Sequence, residues 1–189
     1  MPRAPMYNVD EVLEQAIDVF LEHGFHGAVM DEIIARTDFN RRGFYLEFGS
    51  KQAFLYRVIQ FYIDNQLQNV LVALEQHQGK TAIMTFFERY LQLISGRGCL
   101  LVNCITELGH DDPKIRDFGR HYLDRLQIDF IACIERAVNS HEMSRDTNIE
   151  AVALQLTSYV QGFAVNAILA EDANELQIAT QTLLDSVSR

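Results

Sequence analysis

The sequence predicts an all-α protein of about nine helices, with three short helices at the N-terminus followed by a larger helical body. Apolar residues recur at helical spacing along most of the 189 residues, and no run alternates between apolar and polar residues. The chain has only 3 prolines and 10 glycines, too few for the frequent turns of a sandwich or barrel. Its composition, 48% hydrophobic and 22% charged, is typical of globular proteins and excludes a disordered or fibrous chain.

Three short helices are predicted in the first fifty residues. Asn8 and Glu11 form a variant of the capping box at the start of the first helix. We expect Gly24 to end this helix, because glycine adopts left-handed backbone conformations at low cost. The three helices cover about residues 8–23, 30–37 and 41–46.

The body begins with a long predicted helix over residues 51–77, which we expect Gly79 to end. Asp112 and Pro113 have the residue types preferred at the N-cap and first position of a helix. Capping boxes at Thr147–Glu150 and Asp172–Glu175 predict two more helix starts. The later helices cover about residues 83–94, 100–109, 113–138, 148–170 and 173–187.

Residues 151–170 form a segment without a charged side chain, and this segment is long enough to cross a bilayer. The segment also contains several polar residues, and no second segment of this kind occurs. Helices that are apolar on nearly all sides in soluble proteins are usually buried on two sides. We therefore expect no membrane partner, and a homodimer formed through residues 148–187.

Charge and cysteine content restrict the possible functions further. With 16 basic and 26 acidic residues the formal net charge is −10, so any binding to nucleic acid must depend on a local cationic patch. Residues 1–20 contain four acids and no uncharged core, which predicts no secretory signal and a cytoplasmic location. The 3 cysteines form no complete disulfide set, and the histidines show no metal-ligand spacing, so we expect no metal and no cofactor.

Residues 28–55 follow the length pattern of a helix-turn-helix, in which the second helix enters the major groove of DNA. Arg41 and Arg42 lie at the start of that helix, and Tyr45 lies one turn later. These side chains suit base edges and phosphates, whereas solvated surface charge is the alternative interpretation of the two arginines. Lys51 opens the next helix, whose N-terminal dipole also favours a phosphate.

The same segment resembles the N-terminal signature of the tetracycline-repressor-like (TetR) transcriptional regulators. The resemblance covers about residues 8–59 and is most specific in the run Tyr45-x-x-Phe48-x-Ser50-Lys51. It implies a DNA-binding domain over residues 1–50 and a ligand-binding and dimerisation domain over residues 51–189. It also implies a homodimeric regulator, most often a repressor, that releases a near-palindromic operator when a small-molecule effector binds. The implied DNA contacts are Arg36, Thr37, Asn40, Arg41, Arg42, Gly43, Tyr45 and Lys51.

The segment departs from the family pattern at three places. Asp38 replaces the glycine of the turn, which is tolerable because aspartate visits the left-handed region more readily than most residues. Arg42 and Gly43 add a charge and a flexible residue to the reading helix. Ala28 and Val29 provide no hydroxyl to cap the second helix, which costs about 1 kcal/mol.

The aromatic residues at inward-facing positions of the body helices are consistent with an ordinary hydrophobic core or with a ligand pocket. The pocket is favoured by buried tyrosines, which need hydrogen-bond partners, and by polar residues on nearby helices. The candidate ligand-binding residues are Phe86, Phe87, Tyr90, Cys104, Glu107, Phe118, Tyr122, Tyr159, Phe163 and Asn166.

Three alternatives remain beside a ligand-responsive regulator. Cys99, at a helix start, is either a reactive thiol that senses oxidants or electrophiles, or an inert buried residue. An enzyme would need catalytic residues, but no common catalytic motif occurs and His110-Asp111-Asp112 is the only dense titratable cluster. The net charge and the departures at Asp38 and Arg42 also fit a helical small-molecule-binding or adaptor protein whose DNA-binding head has weakened.

Overall fold

The computed structural model describes residues 8–187, apart from the side chains of residues 173 and 187, and contains nine helices and no strand in that range. The all-α prediction is confirmed. The fourth helix, α4, is continuous but has three parts, Lys51–Tyr62, a π-helical turn at Ile63–Leu67, and Gln68–Gln76. The other helices are α1 (Val9–Gly27), α2 (Met30–Arg36), α3 (Arg41–Phe48), α5 (Gly79–Ile94), α6 (Leu100–Leu108), α7 (Pro113–Asn139), α8 (Ile149–Leu169) and α9 (Ala173–Val187).

Local capping explains where most helices begin. Asn8, Ser50 and Asp112 each accept a hydrogen bond from a backbone N–H in the first turn of the helix that follows. As predicted, α2 has no side-chain cap, since Val29 occupies its N-cap position. At the start of α8 the prediction was one residue off, because Asn148 rather than Thr147 caps that helix.

The linking helix α4 differs from its prediction in two ways. The π-helical turn interrupts it and has no signal in the sequence that we recognised. The helix ends at Gln76, and Gly79 begins α5 instead of ending α4. Gly79 does have a positive φ of 56°, so the bend that separates the two helices depends on it.

The core of the N-terminal head (α1–α3) is a cluster of phenylalanine rings completed by α4. Phe54 of α4 lies 4.8 Å from Phe44 and 4.6 Å from Phe48, measured between ring centroids. Phe20 of α1 and Phe39 of the turn complete this head cluster. We place the domain boundary after residue 50, but Phe54 belongs to the head core. The core of the head therefore extends past that boundary into α4.

In the body (α4–α9), α8 packs between α7, α5 and α9, and its inner face is buried. By length and composition α8 is the one described helix able to cross a membrane. Its buried residues include Leu156, Val160 and Phe163, which belong to the same apolar core as the rest of the body. We interpret it as a core helix.

Candidate nucleic-acid interface and ligand site

A tight turn sets the angle between α2 and α3. Asp38 has a φ of 48°, in the left-handed region, as its replacement of the usual glycine predicts. The backbone N–H of Phe39 donates to the carbonyl of Ile34 over 3.1 Å. Asn40 then caps α3 by accepting from Gly43 N–H over 2.7 Å. The two helices therefore form the helix-turn-helix predicted from the sequence.

One face of α3 is buried and the opposite face is open to solvent. Phe44 and Phe48 are buried and enter the head cluster. Arg41 and Arg42 are exposed, Tyr45 is 43% exposed and Leu46 is 79% exposed. We did not predict Leu46, although it lies four residues after Arg42 and therefore on the same face. We call Arg42, Tyr45 and Leu46 the reading face.

Acidic side chains neutralise more of the cationic patch than the sequence indicated. A nitrogen of Arg36 lies 2.6 Å from a carboxylate oxygen of Glu22, and Arg41 forms an ion pair with Asp31. Arg57 likewise pairs with a glutamate of α3. Within the part of the chain that the structure describes, Arg42 forms no ion pair. Arg42 is therefore the cation most available to an incoming phosphate or base.

Four further predicted DNA contacts, beside Arg36 and Arg41, are also engaged by residues of the head. Thr37 differs most from its prediction, since it is buried and its hydroxyl donates to the carbonyl of Ile33 over 2.7 Å. The Asn40 side chain caps α3, and the backbone N–H of Gly43 is its donor. The Lys51 ammonium lies 4.6 Å from the Phe25 ring centroid, and partial burial lowers its pKa.

Most of the predicted ligand-binding aromatics come together in the body. Phe87 is 5.2 Å from both Tyr159 and Phe163, and Phe86 stacks on Tyr90 at 5.9 Å. Phe130 of α7 joins the group at 5.3 Å from Phe86, although it was not among our candidates. Phe130 lies on the inward-facing apolar stripe of α7, and this pattern in the sequence could have identified it. We call this group the body cluster.

The remaining candidates lie elsewhere. Asn166 is on the exposed face of α8, separated from the body cluster. Cys104 is buried, and burial raises the pKa of its thiol, which opposes thiolate formation. Phe118 is half-buried on the other side of α7, 6.3 Å from the Tyr56 ring. Glu107 faces the head.

The deepest polar groups of the body are three tyrosine hydroxyls near one thiol. The Tyr62 hydroxyl donates to Cys99 Sγ over 3.6 Å. The hydroxyls of Tyr90 and Tyr122 are buried and have no hydrogen-bond partner among the described residues. Burial raises the pKa of both tyrosines, with smaller contributions from the nearby Cys99. Tyr62 was not among our candidates, because it lies on α4 far from the others in sequence.

A cleft of about 310 Å³ lies between α4 and α7 and has Tyr122 among its lining residues. The π-helical turn lines it with Ile63 and Asp64, and α7 lines it with Phe118, His121, Tyr122 and Arg125. A second hollow of about 460 Å³ continues toward the head and shares Gln60 and Phe118 with the first. Both of these hollows therefore lie beside α4, the helix that carries the head.

Glu107 connects α6 of the body to the end of α1. Its carboxylate accepts from the backbone N–H groups of Phe25 and His26, each over 2.8 Å. Those groups are exposed by Gly24, whose φ of 66° and ψ of −177° are accessible essentially to glycine alone. A Cβ at Gly24 would lie 2.8 Å from a Glu107 oxygen. The contact therefore requires glycine both for its backbone conformation and because there is no room for a Cβ.

A second polar contact joins the start of α7 to α4. The Asp112 carboxylate accepts from the Tyr56 hydroxyl over 2.6 Å and from Gln52 over 2.8 Å, in addition to capping α7. Burial alone would raise its pKa, but these hydrogen bonds outweigh burial and hold the pKa below its usual value. Burial and the bond to Asp112 raise the pKa of Tyr56 to about 12.

The head also brings Glu22, His23 and Glu32 within 4.8 Å of one another through their ligand atoms. We predicted no metal, and this cluster has an internal explanation. Nε2 of His23 lies 2.9 Å from a Glu32 oxygen, and Arg36 holds Glu22. A guanidinium in contact with one carboxylate opposes the binding of a cation there.

Comparisons with known proteins agree on both halves of the chain. Residues 12–58 match the family described as bacterial regulatory proteins, tetR family, and residues 79–183 match the tetracyclin repressor-like C-terminal domain. The chain is 24% identical to the HTH-type transcriptional regulator YezE of Bacillus subtilis over 94% of each chain. It is 25% identical to the HTH-type transcriptional repressor DhaR of Mycobacterium sp., covering 86% of this chain and 82% of that protein.

A solved structure has the same fold. The TetR family regulator CifR, crystallised with double-stranded operator DNA, superimposes with a TM-score of 0.82 at 20% identity, covering 98% of this chain and 99% of that chain.

Proposed function

Since the chain belongs to the TetR family of DNA-binding transcriptional regulators, we propose that it is a homodimeric repressor that releases its operator when a small molecule binds the body. Double-stranded DNA is its partner, and the name of the relative DhaR, a repressor, supports the direction of regulation. The observation that carries the proposal is the reading face, which is exposed on α3 while the head cluster fixes the opposite side.

Arg42 is the residue that we expect to read the operator most directly. It is exposed, lies at the N-terminal end of α3 and has no described acidic partner, so binding DNA does not require an existing ion pair to break. Tyr45 presents a hydroxyl to a phosphate, and the apolar Leu46 suits a thymine methyl group or a sugar. Arg41 contributes after leaving Asp31, which reduces its net gain.

The dimer proposal depends on the outer surface of α8 and α9. Leu154 is 55% exposed, Leu169 is 73% exposed and Ile178 is 66% exposed, and no charged residue interrupts this side of α8. Gly162 lies on the same side with no atom within 4 Å of a Cβ built there, which leaves room for close helix approach. A partner copy would cover this apolar face and set the two reading faces about 34 Å apart.

The route from the body to the DNA is proposed to run through α4, Glu107 and Asp112. A ligand in the cleft contacts the π-helical turn of α4 directly. Glu107 and Asp112, on α6 and before α7, hold the end of α1 and the start of α4. A small shift of α6 or α7 therefore acts on the head at two points.

The operator is tested by selecting bound genomic fragments with the full-length protein and measuring their affinity by fluorescence anisotropy. We expect Arg42→Ala to weaken binding by about 1–3 kcal/mol and Tyr45→Phe to weaken it less. Arg120→Ala removes an exposed arginine of α7 and serves as the charge-matched control. Binding should weaken steeply with salt. Equal losses for Arg42→Ala and Arg120→Ala would contradict the assigned reading face.

The dimer is tested by light scattering at micromolar concentration, where we expect twice the 21.7 kDa chain mass. Leu154→Glu places a charge on the uncharged face of α8 and should produce a monomer. Ile128→Glu is the matched control, since Ile128 of α7 is 61% exposed but lies outside the proposed interface. A wild-type monomer, or a dimer that resists Leu154→Glu, contradicts this interface.

A further inference from the structure

The two unpartnered tyrosine hydroxyls specify the chemistry of the molecule that the body binds. A buried hydroxyl without a partner loses its hydrogen bonds to water and gains none in return. Tyr90 and Tyr122 both have this defect, on two helices that pack together. Such groups are rare in folded proteins and call for an occupant that satisfies them.

The surroundings of the hydroxyls favour an uncharged occupant. Near Tyr90, the groups that interact with its hydroxyl are Cys99, Tyr62 and Tyr122, none of which is cationic. Near Tyr122, the closest acidic influence is Asp129, whose carboxylate is already held by Arg125 at 2.9 Å. Arg125 on the cleft wall is already paired with Glu75 and Asp129, so a buried anion would find no free arginine or lysine among the described residues of the cleft. A buried cation would likewise find the Asp129 carboxylate engaged.

The walls favour an apolar body for the same molecule. The cleft is lined by the apolar side chains of Ile63, Leu71 and Phe118 together with Tyr122. Behind Tyr90, the rings of Phe86 and Phe163 pack at 5.9 Å and 6.1 Å. Apolar walls with a few polar groups that fix orientation are typical of small-molecule sites.

We propose that the body binds an uncharged, mainly apolar molecule with a ketone, ester or ether oxygen that accepts hydrogen bonds from Tyr122 and Tyr90. The molecule enters between the π-helical turn and α7. This inference rests on the proposed function, because it assigns the effector class of the same regulator. It concerns binding alone, and it involves no covalent step at Cys99.

Matched probes separate the oxygen from the carbon skeleton. Calorimetric titration of the full-length, DNA-free protein would compare 1-tetralone and acetophenone with the hydrocarbons tetralin and ethylbenzene. The anion 1-naphthoate and the cation formed by 1-aminotetralin test the effect of charge. We expect each ketone to bind at least about tenfold more tightly than its hydrocarbon, since it gains two hydrogen bonds, and both ions to bind more weakly than 1-tetralone.

Three phenylalanine variants assign the preference to particular hydroxyls. Tyr90→Phe and Tyr122→Phe should each reduce the ketone-over-hydrocarbon preference by about threefold to tenfold. Tyr56→Phe is the matched control, because it removes the same atom from a ring that does not line the cleft and whose hydroxyl already bonds Asp112 at 2.6 Å. It should leave the preference unchanged.

Thermal unfolding without ligand gives an independent readout. Removing an unpartnered hydroxyl should raise the melting temperature by about 2 °C in Tyr90→Phe and Tyr122→Phe, whereas Tyr56→Phe, which breaks the bond to Asp112, should lower it. Opposite effects on stability and affinity distinguish a ligand site from a purely structural tyrosine.

Several results would overturn the inference. They are equal affinities for ketones and hydrocarbons, tighter binding of either ion, or no saturable binding of any ketone at millimolar concentration. Destabilisation by all three variants would indicate that buried water satisfies the hydroxyls. Different results would contradict the proposed function. They are that the protein binds no operator DNA, or that a bound ketone does not release the operator.

Discussion

The head and the body each contain an aromatic cluster, and the two differ in their polar atoms. The head cluster consists of Phe20, Phe39, Phe44, Phe48 and Phe54, with no polar atom in any ring. The body cluster packs at similar distances but contains Tyr90 and Tyr159, and Tyr122 lies close by. Two of these three hydroxyls have no partner in the described structure.

This difference indicates that the two regions serve different purposes. A fully apolar cluster gains stability from every contact and holds one rigid arrangement, which a helix that reads DNA requires. Unpartnered hydroxyls reduce stability while no ligand is bound and make an occupied state more favourable. We therefore expect the head to tolerate fewer changes of its aromatic core than the body.

The largest expected effect comes from breaking the head cluster. Phe54→Ala removes a fully buried ring and should lower the free energy of unfolding by about 3–5 kcal/mol, because a cavity remains between α3 and α4. Urea unfolding followed by circular dichroism measures the loss. Phe118→Ala, at a half-buried ring beside the cleft, is the control and should cost much less. Equal losses would mean that the head core is no more critical than the surface of the cleft.

The next effect concerns the backbone that joins the two regions. Gly24→Ala should destabilise the protein by about 1–3 kcal/mol through backbone strain, and further through contact with Glu107. Gly49→Ala is the control, since Gly49 has a φ of 76° but no atom within 4 Å of a Cβ built there. Comparing the thermal unfolding of the two variants separates the cost of backbone strain from the cost of the steric contact with Glu107. The extra loss at Gly24 should disappear when Glu107 is also alanine.

A smaller effect tests whether the body communicates with the head through Glu107. Glu107→Ala should reduce the effect of a bound ligand on operator affinity by about 0.5–2 kcal/mol, because α6 then loses its hold on α1. Anisotropy titrations with and without the ketone probes measure this coupling. Glu135→Ala, an exposed glutamate of α7, is the control. Unchanged coupling in Glu107→Ala would exclude Glu107 from the route and leave α4 and Asp112.

The smallest expected effect is a pH dependence at Asp112. Because its pKa is held below the usual value, Asp112 stabilises the fold fully above the unfolded carboxyl pKa of about 4. That contribution disappears as the pH falls through the depressed native pKa. The stability difference between wild type and Asp112→Asn should thus be constant from pH 8 to about 5 and shrink below pH 4. A difference that grows on acidification contradicts the assigned hydrogen bonds.

Much of the fold and part of the site could be predicted from the sequence. The position of α3 and the turn at Asp38 depend on short-range spacing, and these predictions are confirmed. Thr37 differed because its hydroxyl bonds to the carbonyl four residues earlier, a contact that residue type alone does not reveal. Arg36 and Arg41 are predicted DNA contacts whose charges are paired with acidic residues of α1 and α2, and the spacing of residues along the chain does not reveal those pairs.

The sequence by itself determined the helices, their caps and the exposed side of α3, since each depends on residues within about one helical turn. The tertiary structure alone decided which polar groups found partners. Glu107 accepts a hydrogen bond from a backbone N–H 82 residues away, while the hydroxyls of Tyr90 and Tyr122 find no hydrogen-bond partner among the residues that the structure describes. Hydrogen bonding between distant residues depends on how the helices pack, and no local pattern encodes that packing.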